Sequence, residues 1–211
     1  MNAMTALNTA GFAHPARNVL VLGVDTGMTV VDFGAGSGAY VYAIAERLQG
    51  TGHVYAIDVQ QDLLRRIKNE SHKRGYQNVE IIWSDLEKSG GSKIADRHAD
   101  LVLISNLLFQ VGDKKALFAE AWRILKPTGR LAVIDWSESF GGMGPINKEV
   151  VKKEKALELA VQSGFEPLTQ FKAGAHHYGL TLRPVSLTAS RGGPVAHPIR
   201  DSASSNGARK V

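Results

Sequence analysis

The sequence predicts an α/β fold: a mostly parallel sheet with helices on both faces and an antiparallel last strand. Three observations carry this. Short apolar runs alternate with amphipathic stretches along most of the chain, the pattern of parallel strands joined by crossover helices. The run Thr29-Val30-Val31-Asp32-Phe33 stops at Gly34-Ala35-Gly36-Ser37-Gly38 and is followed by helical spacing, which reads as strand, glycine turn, helix. Near the end, residues 167–171 and 177–182 read as strands joined across only Lys172-Ala173-Gly174-Ala175. So short a turn demands antiparallel neighbours.

Each element has a local reason. Pro15 suits the first position of a helix over residues 16–22, which Gly23 can end. Val30 and Val31 are adjacent β-branched residues, as expected of a strand buried on both faces. Residues 39–48 place Val41, Ile44, Ala45 and Leu48 on one helical face. Residues 53–58 form the second strand. Residues 60–74 form a helix with Leu63, Leu64 and Ile67 inward, closed by Gly75, and its Arg65, Arg66, Lys68, Lys73 and Arg74 read as a solvated face. Strands follow at 79–83, 100–105 and 130–136. Between the last two, residues 114–125 carry a helical stripe of Leu117, Phe118, Ala121, Trp122 and Leu125, stopped by Pro127 and Gly129. A final helix is expected over 147–163. The connection 86–98 holds Gly90-Gly91 and reads as a mobile loop. The glycine-rich loop 137–144 reads as a substrate lid.

The glycine turn and three acids make a constellation. Glycines let a ligand approach the main chain, and a helix start offers unpaired N–H groups to a carboxylate or phosphate. The spacing here is G-x-G-x-G, unlike the G-x-G-x-x-G of dinucleotide sites. Asp32, Asp58 and Asp85 each stand at or near the end of a strand. Asp58 is placed to accept from a ribose diol, since an ionised carboxylate only accepts. Asp85 can take the amino protons of an adenine.

At these residues the chain resembles the class I S-adenosylmethionine-dependent methyltransferases. The matching pieces are Val-Val-Asp-Phe-Gly-Ala-Gly-Ser-Gly (30–38), Ala-Ile-Asp (56–58), Ser-Asp-Leu (84–86), Asp-Leu-Val-Leu-Ile-Ser-Asn (100–106) and Arg-Ile-Leu-Lys-Pro-Thr-Gly-Arg-Leu (123–131). It looks most similar to the small ubiquinone/menaquinone methylase-like branch. The resemblance implies a Rossmann-like sheet of seven strands. It also implies S-adenosyl-L-methionine as cofactor, held by Asp32, Gly34, Ala35, Gly36, Ser37, Gly38, Asp58, Val59, Asp85, Leu86, Ser105 and Asn106. The glycine turn would take the methionine end, Asp58 the ribose, and Asp85 with Leu86 the adenine. Asp32 would hold the turn, or the ligand's ammonium through water. Tyr40 belongs either to the core or to the ligand's amino-acid end. The strand end at Asn106 would face the transferred methyl, with Asn106 and Gln110 orienting substrate or methionine. The Asn-Pro-Pro-aromatic motif of base and glutamine amide methylases is missing there.

Catalytic residues are not visible. Glu138 is the one free acid of the 137–144 loop and a candidate base. Asp135 lacks a companion acid for a metal, and adjacent His176 and His177 make a poor metal pair. The formal net charge is +5. Arg191, Arg200, Arg209 and Lys210 against Asp201 put most of that excess in the last 28 residues, so the basic balance is weak support for nucleic acid. Residues 1–13 are expected to be flexible, 14–183 to form the methyltransferase domain, and 184–211 to be a disordered tail. No apolar run reaches spanning length, no signal peptide is visible and cysteine is absent. The protein is therefore expected in the cytoplasm, acting on a small molecule, with nucleic acid and protein acceptors left open. Two readings compete. A nicotinamide-dependent oxidoreductase is opposed by the glycine spacing, Asp85 and the terminal hairpin. A non-catalytic partner protein of this fold is opposed by the intact cofactor constellation.

Overall fold

The computed structural model describes residues 13–142, 144–185 and 200–201. In chain order the elements are α1 (Pro15–Val21), β1 (Thr29–Phe33), α2 (Ala39–Leu48), β2 (His53–Asp58), α3 (Gln61–Lys73), β3 (Val79–Trp83), β4 (Ala99–Ser105), α4 (Lys114–Ile124), β5 (Leu125–Trp136), α5 (Lys153–Gln162), β6 (Phe165–Gly174), β7 (His177–Pro184) and β8 (Arg200–Asp201). The sheet order is β3-β2-β1-β4-β5-β7-β6-β8. Strand β7 runs antiparallel to β5 and β6, and every other pairing is parallel. Seven strands thus form the expected sheet, and the two-residue β8 adds to its β6 edge at Thr169↔Arg200 and Gln170↔Asp201.

Of the segment expected as a tail, Pro184, Val185, Arg200 and Asp201 are described. Pro184 closes β7, and the Val185 N–H donates to the Gly164 carbonyl at 2.8 Å. The remaining residues of 186–211 and residues 1–12 lie outside the described residues.

Side-chain alternation along the strands divides the core between the two faces. Val30, Val54, Ala56, Leu101, Leu103, Ala132 and Ile134 pack with Val19, Val41, Ile44, Leu64 and Ile67 of α1, α2 and α3. Val31, Phe33, Ile57, Val102, Ile104, Leu131 and Val133 pack with Leu117, Phe118, Ile124, Ala156 and Ala160 of α4 and α5. Asp32 shares its strand parity with Val30, so the α1–α2 face carries the one acid of β1.

The last helix begins at Lys153, six residues later than its sequence pattern predicts. The Tyr178 hydroxyl donates to the Val151 carbonyl at 2.9 Å, and Lys152 is extended at φ −60°, ψ 150°. A tertiary contact captures the carbonyl and leaves β-branched Val150 and Val151 outside the helix.

Strands β1, β2 and β3 step outward in one direction, and β4 returns to the other side of β1. The order reverses between β1 and β4. The carboxyl ends of strands at such a reversal leave a crevice that no crossover covers.

Candidate functional site

The crevice is built by two loops that lean on each other. After β1, Gly34 and Ala35 both donate their N–H groups to the Ile57 carbonyl at 2.9 Å. This folds the turn over the end of β2. After β4, Asn106 turns the chain at φ +52° and donates its N–H to the Ile134 carbonyl at 2.9 Å. The next residue, Leu107, rests on Gly34, where an added Cβ would lie 2.7 Å from Leu107 Cδ1. A side chain at Gly34 would therefore displace the Leu107 side chain.

Asp135 braces the second loop. Its carboxylate accepts from Leu108 N–H at 3.0 Å and from Trp136 N–H at 2.8 Å. Burial pushes its pKa up to about 6 against those bonds. Among the described residues no cluster of three metal-ligating side chains occurs.

Two cavities meet at the glycine turn. The first, of about 270 Å³, is lined by Ala13, Pro15, Asp32, Gly34, Ala35, Gly36, Ser37, Ala39, Tyr40, Ser105, Asn106 and Gln110. The second, of about 230 Å³, is lined by Gly34, Gly36, Asp58, Val59, Gln60, Ser84, Asp85, Leu86, Glu87, Leu107, Gln110 and Val111. Gly34, Gly36 and Gln110 belong to both. Eleven of the twelve residues singled out in the sequence line one cavity or both. Gly38 lines neither. It starts α2 at φ +81°, with an added Cβ only 2.8 Å from Ile67 Cγ1, so its glycine serves packing.

The first cavity brings a helix start and unpartnered acceptors together. No side chain caps α2 and no acid lies in its first turn, so its positive end suits an anion. The same cavity is lined by Asp32 and Asn106, whose Oδ1 atoms are buried acceptors with no hydrogen-bond partner. Burial, and then the charge of Asp58, push the Asp32 carboxyl up to about 7. Two bare acceptors beside a helix start fit an ammonium and a carboxylate on one ligand. In the second cavity the acids are partly engaged. Asp58 accepts from Gly36 N–H and Gln60 N–H, both at 2.9 Å. Asp85 accepts from Glu87 N–H at 3.0 Å. Each carboxylate keeps further lone pairs for a donor.

Tyr40 is buried in the core and also lines the first cavity. Its hydroxyl is held by Asn18 of α1 at 2.8 Å. Sequence reading passed over Asn18. It also passed over Gln60 and Glu87, whose signal was their place beside Asp58 and Asp85.

Two expectations are corrected. Glu138 is not free: its carboxylate meets His176 Nδ1 at 2.6 Å, and Phe140 stacks on the same imidazole at 3.7 Å. The 86–98 connection is not loose. Ser92 is fully buried, and its N–H and hydroxyl donate to Glu120 Oε1 at 2.9 and 2.5 Å. Arg123 then donates to Glu120 Oε1 at 2.7 Å and to the Ile94 carbonyl at 2.9 Å. The glycines there serve a tight turn: a Cβ on Gly91 would lie 2.1 Å from the Asp85 carbonyl.

Comparison with known proteins agrees with this geometry. A family profile described as a methyltransferase domain matches residues 24–178. A SAM-dependent methyltransferase from Aquifex aeolicus superposes with a TM-score of 0.75 at 26% identity, covering 82% of this chain and 90% of that one. The ubiquinone/menaquinone biosynthesis C-methyltransferase UbiE of Pseudomonas putida is 30% identical over 139 residues, 65% of this chain and 51% of its own. An arsenite methyltransferase of Halobacterium salinarum is 27% identical over 109 residues, 52% of this chain and 27% of its own. The chain thus spans about half or less of the length of these curated relatives. Among the described residues no helix is long and apolar enough to cross a membrane. With the family profile, the strand order and the glycine-turn crevice in agreement, the chain belongs to the class I S-adenosyl-L-methionine-dependent methyltransferases.

Proposed function

We propose that the protein methylates a small-molecule acceptor, and that the two cavities divide the cofactor between them. The observation that carries this is their meeting at Gly34 and Gly36, with unpartnered acceptors on one side and strand-end acids on the other. Asp32, Asn106 and the start of α2 then hold the amino-acid end. Asp58 accepts from the ribose hydroxyls, while Asp85, Leu86 and Val59 flank the adenine. When bound, the cofactor supplies an electrophilic methyl, so the chain's own task is alignment and exclusion of water. Asn106 and Gln110 border the acceptor's approach. Gln110 is fixed there by donating its Nε2 to the Asn106 carbonyl at 2.9 Å.

A small acceptor is supported by the walls. Ala13 and Pro15 of the α1 region line the first cavity, which is sized for a small ligand. The two relatives' names point to small molecules: one is a ubiquinone/menaquinone biosynthesis C-methyltransferase and the other an arsenite methyltransferase.

The test is incubation with methyl-labelled adenosylmethionine and a cell extract, followed by separation of small molecules, RNA and protein. Label in the small-molecule fraction, lost in Asp58→Ala, is the expected result. Label confined to RNA or protein would overturn it. Calorimetric titration with adenosylmethionine, its demethylated product and NADH checks the cofactor independently of the acceptor.

A further inference from the structure

Helix α1 carries one buried polar side chain, Asn18, which is 1% exposed. Its Nδ2 donates to the Tyr40 hydroxyl at 2.8 Å and to the Ala173 carbonyl at 3.0 Å. The second bond fixes the first. A backbone carbonyl only accepts, so the amide nitrogen must face Ala173. The same nitrogen faces Tyr40, and Tyr40 is the acceptor in that bond.

The phenolic proton is therefore not engaged by Asn18. Tyr40 lines the first cavity beside the start of α2. Burial holds its hydroxyl protonated, with the pKa pushed up to about 12. The Ser105 hydroxyl interacts with the same phenol and lines the same cavity. A hydroxyl both donates and accepts, so a proton given to Ser105 leaves the serine's own proton for the cavity. Either way, this wall presents an O–H donor next to a positive helix end. The same cavity is lined by Asp32, whose charge acts on Tyr40, and by Asn106, and the Oδ1 atoms of both are unpartnered acceptors. A zwitterion matches both kinds of group.

We propose that Tyr40 is a specificity residue that donates to the carboxylate of the cofactor's methionine end, and that Asn18 is the positioning residue that sets the polarity of that hydroxyl. This rests on the cofactor assignment above. It also ties α1 to the cofactor, because Asn18 moors the helix to Ala173 with the same amide.

The experiment is calorimetric titration of the full chain with adenosylmethionine and with its decarboxylated analogue, which lacks only the carboxylate. Tyr40→Phe keeps the ring and is expected to weaken adenosylmethionine about tenfold and the analogue less than about twofold, as for loss of one hydrogen bond to a charged group. Asn18→Leu is expected to give the same ligand-selective loss. The double variant should lose no more than Tyr40→Phe alone. Thermal melts accompany each variant, and Tyr40→Phe carries the test if Asn18→Leu unfolds. Equal losses on both ligands, or no loss in Tyr40→Phe, would overturn the carboxylate role. Additive losses in the double variant would overturn the role of Asn18. A wild-type chain that binds neither ligand overturns the cofactor assignment itself, and this proposal with it.

Discussion

Asp58 and Gly36 are joined across two strands: Asp58 Oδ2 accepts the Gly36 N–H at 2.9 Å. The other carboxylate oxygen accepts from Gln60 N–H, also at 2.9 Å. Asp58 is thus a strut for the tip of the glycine turn as well as the proposed ribose acceptor. Asp58→Ala removes both functions. It is expected to weaken adenosylmethionine by about 30- to 100-fold, read by calorimetry. It should also lower stability by about 1–2 kcal/mol, read by urea unfolding. A loss of affinity with no loss of stability would show that the strut is dispensable.

Gly36 and Gly38 separate function from packing. An alanine methyl at Gly36 meets only the Gly34 carbonyl, at 3.8 Å. Its left-handed φ of +53° costs about 1 kcal/mol. Because Gly36 lines both cavities, Gly36→Ala is expected to fold and to lose most cofactor affinity. At Gly38 the added methyl lies 2.8 Å from Ile67 Cγ1 and 2.9 Å from Tyr42. Gly38→Ala is expected to be the less stable variant by about 1–3 kcal/mol. Melting curves beside titrations distinguish the two, and the reverse order of stabilities would refute the assignment.

What the sequence made legible was local. Helix α2 and strands β2 and β3 fall on their expected boundaries, because apolar period and glycine stops act within a few residues of each other. The glycine turn and the acids at the ends of β1, β2 and β3 could be read for the same reason. The unread parts are pairings between distant residues. Asn18 meets Ala173 across 155 positions, and Glu138 meets His176 across 38. The late start of α5 depends on the hydroxyl of Tyr178, 27 residues beyond Val151. One signal was available and unused. Glu120 falls between Leu117 and Ile124 on the apolar stripe of α4, and an acid on a buried helical face needs a partner.

Asp32 makes the free protein sensitive to pH in a direction opposite to most carboxylates. Its folded pKa, raised to about 7 from 3.8 by burial and then by Asp58, means the native state holds a proton that the unfolded chain has released. That contribution is complete below about pH 4 and is lost as pH rises through about 7. Asp32→Asn removes the titration. Relative to wild type it is expected to gain stability between pH 5 and 8, by about 2–4 kcal/mol at the upper end. In the same variant adenosylmethionine affinity should fall at pH 8, because the amide carries no charge for an ammonium. Urea unfolding at several pH values checks the first statement and calorimetry the second. A wild-type minus variant difference that is flat with pH would refute the role of burial at this carboxyl.

Glu120 acts in the opposite sense and lines neither cavity. Burial raises its pKa, but the bonds from Arg123 and from Ser92 outweigh it and bring the carboxylate down to about 2. The stability it contributes is therefore present above about pH 4.5 and lost as pH falls toward 2. This carboxylate holds the 86–98 connection through Ser92 and Arg123, and that connection begins at Leu86 and Glu87, which line the second cavity. Glu120→Gln keeps the shape and removes the charge. It is expected to destabilise the fold by about 2–4 kcal/mol at pH 7, since the Arg123 guanidinium loses its buried partner. Amide hydrogen exchange should rise over 86–98 and remain unchanged in β1 and β4. Adenosylmethionine should bind more weakly, whereas a ligand truncated to the amino-acid end, such as methionine, should be unaffected. Equal weakening of both ligands would show that the clasp supports the whole crevice rather than its adenine side.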